Sequence, residues 1–113
     1  MTARTTLYSK GRPASGWKKM EYRIAKEFAG VRIPLSGQTL IGGDVMSKHY
    51  LIECKLRKQR GKKEIAIKKE WLEKLKKEAK KVNKTPLLIF KFKGDHSYYV
   101  VMGLVDFRKI ERI

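Results

Sequence analysis

The chain is predicted to be α/β: a mixed β-sheet flanked by helices. Three observations predict it. Residues 16–29 and 66–82 repeat apolar side chains at helical spacing. Five short apolar segments, bounded by Gly, Ser, Lys or Pro, have the length and composition of strands. Their order is α-β-β-β-α-β-β, with a further short helix at 105–110, and it implies one mixed sheet with helices packed on it. No internal repeat is visible.

The elements follow in turn. Residues 1–15 mix Thr, Ser, Gly, Pro and basic residues without periodicity and read as a flexible basic arm. Residues 16–113 read as a single domain. Trp17, Met20, Ile24, Ala25 and Phe28 give the first helix its apolar side, and Gly30 ends it. A short strand at 31–34 and a loop at 35–38 precede a strand at 40–46 that Gly42-Gly43 breaks. Ser47-Lys48 makes the turn into a central strand at 49–55. Beyond a loop at 59–64, Ile67, Trp71, Leu72, Leu75, Ala79 and Val82 form one stripe of an amphipathic helix. Asn83 closes it and Pro86 follows. Residues 87–92, a turn at 93–95 and residues 98–102 form a closing hairpin. Trp17, Trp71 and the Tyr98-Tyr99 pair read as packing residues.

Composition narrows the partners. Among 113 residues, 28 Lys and Arg face 11 Asp and Glu, a net charge of +17. Such a surplus favours a polyanion, and nucleic acid is the commonest. An anionic membrane surface or an acidic protein would also suit it, and a heat-adapted lysine-rich surface could give it too. The charge is lopsided, however. Residues 1–20 hold five cations and no acid, and Lys55, Arg57, Lys58, Arg60, Lys62 and Lys63 form a second acid-free cluster. No apolar run reaches spanning length and no secretory leader is recognisable, so a soluble cytoplasmic protein without membrane contact is expected. The lone Cys54 excludes an intrachain disulfide, and with only two histidines a structural zinc site is improbable.

Chemistry concentrates at Gly42-Gly43-Asp44-Val45 and Leu51-Ile52-Glu53-Cys54-Lys55. Side chains alternate along a strand, so Leu51, Glu53 and Lys55 share one face and Tyr50, Ile52 and Cys54 the other. Charges in such an apolar segment need a partner or a metal. With the turn at Ser47-Lys48, facing residues sum to about 95. Asp44 then lies opposite Leu51 and diagonal to Glu53, within reach of a shared cation. Two carboxylates suit Mg²⁺ or Mn²⁺, and Lys55 suits developing negative charge on phosphate oxygens. The glycines before Asp44 leave room for an approaching phosphodiester. A plain Glu53–Lys55 ion pair is the alternative to a reaction site.

Asp44 and Glu53-Cys54-Lys55, after a helix bearing Glu21, resemble the D…ExK motif of the PD-(D/E)xK nucleases, with Gly43 where Pro is frequent. The likeness extends further. Val31-Arg32, Ser36-Gly37, Asp44-Val45, Ile52-Glu53-Cys54-Lys55, Ile67-Lys68-Lys69-Glu70, Pro86 and Leu87 to Phe92 run in the order found in archaeal-type Holliday junction resolvases. The resemblance implies a restriction-endonuclease-like fold and a homodimer that cuts four-way DNA junctions by paired nicks with Mg²⁺. It implies that Glu21 and the backbone carbonyl of Cys54 join Asp44 and Glu53 around the metal. Ser36 falls on a mobile-loop serine of that family and Arg32 on a DNA-contacting arginine. Tyr22 stands where a basic residue commonly follows the helix glutamate. Lys10, Arg12, Lys18, Arg57, Lys58, Arg60, Lys62, Lys63 and Lys68 complete the expected DNA surface. A related nuclease acting on other branched or nicked DNA, or a non-catalytic DNA-binding protein, are the rival readings. Small size and lysine content suit either a phage or an archaeon; in a virus the enzyme would work in the host cytoplasm.

Overall fold

The computed structural model describes residues 16–33, 43–57 and 64–111. The expected arm at 1–15, the loop at 35–38 with Ser36, and Lys10, Arg12, Lys58, Arg60, Lys62 and Lys63 lie outside the described residues. The elements are α1 (Gly16–Glu27), β1 (Val31–Arg32), β2 (Val45–Met46), β3 (Tyr50–Arg57), α2 (Lys69–Lys81), β4 (Thr85–Phe92), β5 (Tyr99–Val101) and α3 (Leu104–Glu111). The strands form one sheet in the order β1-β2-β3-β4-β5. Only β3 and β4, joined through α2, are parallel, and the other neighbours are antiparallel. This is the mixed, helix-flanked sheet that the sequence order implies.

The alternation of β3 sorts the core into two layers. Ile52 joins Met20, Ile24, Val45, Leu87 and Ile89 under α1. Leu51 joins Ile33, Leu75, Ala79 and Leu88 under α2. The sheet is thus apolar on both faces at its centre, as a crossover helix on one side and α1 on the other require. Leu88 is fully buried in the middle of β4. Leu88→Ala should cost about 2–5 kcal/mol, read as a lower urea midpoint at unchanged m-value.

Several boundaries differ from the sequence expectation. The hairpin turns one residue later: Val45 faces Ile52 and Met46 faces Leu51, so facing residues sum to 97. Ser47 is the cause. Its N–H donates to the Tyr50 carbonyl at 2.9 Å, and its hydroxyl accepts the Tyr50 N–H at 3.1 Å. The loop pair is therefore Lys48-His49. Helix α2 starts at Lys69 rather than 66, with Lys68 extended at its N-terminal boundary. Strand β4 begins at Thr85 and contains Pro86. Trp17 is exposed and not part of the core, which leaves interface packing as its expected role, and Tyr99 stacks across the sheet on Phe90 with ring centres 5.2 Å apart.

Two left-handed residues end the main helices. Asn83 (φ 56°) closes α2 as expected, and the Lys84 N–H returns to the Ala79 carbonyl. At the end of α1 the left-handed position belongs to Ala29 (φ 52°), not Gly30. Gly30 is needed for a different reason. A Cβ there would come within 2.5 Å of the Met46 carbonyl oxygen, so a bare backbone is what lets α1 turn closely over β2.

Candidate active site

The observed register pairs Leu51 with Met46 and Ile52 with Val45, so Asp44 does not face Leu51. The Asp44 N–H donates to the carbonyl of Ile52, the residue already paired with Val45, at 2.8 Å, so the ladder is interrupted at Asp44. The Asp44 carboxyl is close enough to Glu53 for that carboxylate to act on it, and Lys55 follows Glu53 on one face of β3. The Lys55 ammonium stands 3.1 Å from the Glu53 carboxylate. Gly43 adopts φ 88°, and a side chain there would crowd Leu51 and the Ile52 carbonyl. Its bareness serves the turn into Asp44.

Asp44 is the strained member. Its Oδ2 accepts the Cys54 N–H at 2.7 Å. That amide points towards β2 where β2 no longer offers a carbonyl, and by strand alternation the Cys54 carbonyl faces the same side. Burial, followed by the nearby Glu53 carboxylate, pushes the Asp44 carboxyl up to about 7; Glu21 adds to the rise, and the Cys54 amide and Lys55 oppose it. Burial also pushes the Cys54 thiol far up, with Asp44, Glu21 and Glu53 adding to it, so Cys54 is an inert thiol.

The raised carboxyl has a consequence for stability. Below its ordinary value near 3.8 Asp44 is protonated folded or unfolded and contributes nothing. As pH rises from there to about 7, the unfolded chain releases the proton and the folded one keeps it, so stability falls. Above that range the full cost applies, on the order of a few kcal/mol. Asp44→Asn keeps an oxygen for the Cys54 amide and removes the cost. Thermal melts in chelator should show the variant more stable than the parent at pH 8, with the gap closing towards pH 4.

Glu21 and Arg32 occupy the opposite, α1 side of the sheet edge. Glu21 is buried on α1, and its Oε1 accepts from Arg32 Nε and Nη2, both at 3.0 Å. The Arg32 guanidinium also lies 4.5 Å from the centre of the Tyr22 ring. Arg32, expected on DNA, is thus committed to Glu21 here, and Tyr22 supplies a ring face where a basic residue was looked for. Among the described residues, no three His, Cys, Asp or Glu side chains converge closely enough to cage a metal ion. Asp44 and Glu53 nevertheless suit a hard cation. They are oxygen donors close enough together for the Glu53 carboxylate to help hold Asp44 protonated. Glu21 could join them only by leaving Arg32.

On the α2 side a 240 Å³ cleft opens beside these residues, lined by Gly43, Glu53, Lys55, Trp71, Lys74, Leu75 and Glu78. Trp71, Lys74 and Glu78 were not legible as site residues. The signal lies in the fold and not in any window of sequence: the crossing of α2 over β3 sets Trp71 beside Lys55 and Arg57. Arg57 and Lys68 flank the Trp71 ring, at 5.0 and 5.8 Å from its centre. Lys18 is on the exposed start of α1 beside Trp17.

The sequence model of the archaeal Holliday junction resolvase (Hjc) family matches residues 20–113. The chain belongs to that family. The match spans α1 through α3, so every element that places Glu21, Asp44, Glu53 and Lys55 lies within it. The fold is similar to that of Hjc from Archaeoglobus fulgidus, a Holliday junction resolvase from an archaeal hyperthermophile. The TM-score is 0.55 at 17% identity, over 74% of this chain and 73% of that one. At that identity the likeness speaks for the fold alone. No curated protein sequence matches. No helix among the described residues is long and apolar enough to cross a membrane.

Proposed function

We propose that this resolvase-family protein is a divalent-metal-dependent endonuclease that resolves four-way DNA junctions by symmetric paired nicks. The observation that carries the reading is the Asp44 carboxyl held on the Cys54 amide at 2.7 Å, beside a Glu53 carboxylate that stands 3.1 Å from the Lys55 ammonium. Asp44, Glu53 and the Cys54 carbonyl would hold Mg²⁺ or Mn²⁺, with Glu21 as a further ligand. Bound there, the ion supplies polarisation of the phosphodiester and an acidified water. The protein's own part is distinct. Lys55 offers its ammonium to the charge that grows on the phosphoryl oxygens. The Cys54 amide fixes the Asp44 carboxylate. Arg32 is held ready beside Glu21, and a phosphate is the natural competitor for its guanidinium. Ser36 is proposed as a further site residue on the strength of the sequence resemblance.

A twofold substrate calls for a twofold enzyme. The exposed apolar side chains Tyr99, Val100, Leu104, Val105 and Phe107 cluster on β5 and α3, and no described residue of α3 is buried. A second copy packed on this face would cover it and present two sites to one junction. The test is a labelled synthetic four-way junction, incubated with and without Mg²⁺ beside the linear duplex of the same sequence. Two nicks at symmetry-related positions, dependent on Mg²⁺ and absent from the duplex, are expected. Equal cutting of the duplex, or binding without any cutting, would sink the reading.

A further inference from the structure

We propose that Trp71 is a positioning residue for Lys55: its indole face holds the Lys55 ammonium at the cleft mouth without neutralising it. The inference rests on the reading above, in which Lys55 meets phosphate. Lys55 Nζ lies 4.3 Å from the centre of the Trp71 ring, and the lysine is largely buried. Trp71 is fixed independently. It sits in the first turn of α2, its N–H donates to the Lys68 carbonyl at 3.1 Å, and its ring is half-buried against the layer under α2.

The physical need is plain. A lysine carries its charge on a flexible four-carbon stem. Glu53 attracts the ammonium at 3.1 Å, but that pairing cancels the field a phosphate would feel, and a cation bound at Glu53 would weaken it. An aromatic face attracts a cation through its quadrupole and carries no net charge of its own. The ring can therefore keep Lys55 in place while leaving its charge available. Arg57 and Lys68 crowd the same ring and repel Lys55 away from themselves. No other described aromatic residue approaches Lys55 in this way, and the sequence alone reads Trp71 as one more member of an apolar stripe.

Three forms of the full-length protein decide it: the parent, Trp71→Leu, which keeps apolar bulk, and Trp71→Phe, which keeps a ring face. Trp71→Leu should lower the single-turnover cleavage rate about tenfold, with junction affinity in chelator held within about twofold. Trp71→Phe should recover most of that loss. Proton–carbon spectra give a readout free of substrate. In the parent, one lysine Hε resonance should lie upfield from ring current and vanish in Lys55→Ala. It should move to the ordinary lysine position in Trp71→Leu and stay upfield in Trp71→Phe. An unshifted Lys55 resonance in the parent overturns the proposal outright, even if the leucine variant fails to fold. So does an unchanged rate in Trp71→Leu. Weakened junction affinity with an unchanged rate would instead make Trp71 a stacking platform for a base. If the parent cuts no junction, the functional reading falls, and the spectra alone decide where Lys55 is held.

Discussion

Asp44→Asn, Glu53→Gln and Lys55→Ala are each expected to slow junction cleavage by about 10²–10⁴-fold while leaving junction affinity within about threefold. Glu53 and Lys55 share one face of β3, Asp44 directly precedes β2, and each has a different task. Asn at 44 can still accept the Cys54 amide, so the hairpin keeps its register while losing the negative charge a cation needs. Gln at 53 loses the charge that pairs with Lys55. Both changes remove repulsion towards phosphate, so affinity should hold or tighten slightly. Ala at 55 removes the cation that meets the developing charge. The melts proposed for Asp44→Asn make this comparison sharp, because a variant more stable than its parent at pH 8 cannot be inactive through misfolding. Single-turnover assays with saturating enzyme, alongside binding in chelator, separate the two effects. A fall in affinity that parallels the fall in rate would mean that these residues shape the hairpin and not the reaction.

The strand face was legible because alternation is a local property. Glu53 and Lys55 had to be neighbours whatever the rest of the chain did, and their 3.1 Å ion pair follows from period two alone. The helix stripes were legible for the same reason. The register was not, because one serine hydroxyl, taking the Tyr50 amide, moved the turn by one residue. That shift gave Leu51 to Met46 and left Asp44 beyond the paired residues, where its carboxyl reaches the Cys54 amide. The start of α2 lies three residues later than the apolar pattern suggests: Ala66 and Ile67 fit the stripe but precede the helix, and Lys68 is extended at its boundary. What composition and spacing could not reach is chemistry assembled across elements. The Glu21–Arg32 pair joins α1 to β1, and the Lys55–Trp71 pair joins β3 to α2. Each needs the crossing of two elements, which no window along the sequence contains. Glu78, which lines the cleft from α2, reads in sequence as one more charge on a solvated helix face.

Junction affinity should fall by roughly 10³-fold or more between 50 and 200 mM salt if about six or more phosphates are neutralised. The net charge of +17 per chain makes that number modest for a dimer. Cations near the cleft should supply part of it: Arg57, Lys68 and Lys74 stand around Trp71 and its cleft, where a strand entering the proposed site would meet them. Arg57→Ala and Lys68→Ala should each weaken binding to all junction sequences alike and lower the salt slope by about one for each phosphate that is no longer neutralised. Residues 1–12 carry Arg4, Lys10 and Arg12 with no acid, so deleting them should also flatten the slope. The deletion leaves every described element untouched, and its melting temperature should match the parent's. Fluorescence anisotropy of a labelled junction across a salt series measures each slope directly. A truncated protein with the parent's slope would place the DNA surface wholly on the sheet and helices. A flat slope in the parent itself would mean that the charge serves some other partner, because counterion release from phosphates does not depend on which junction is bound.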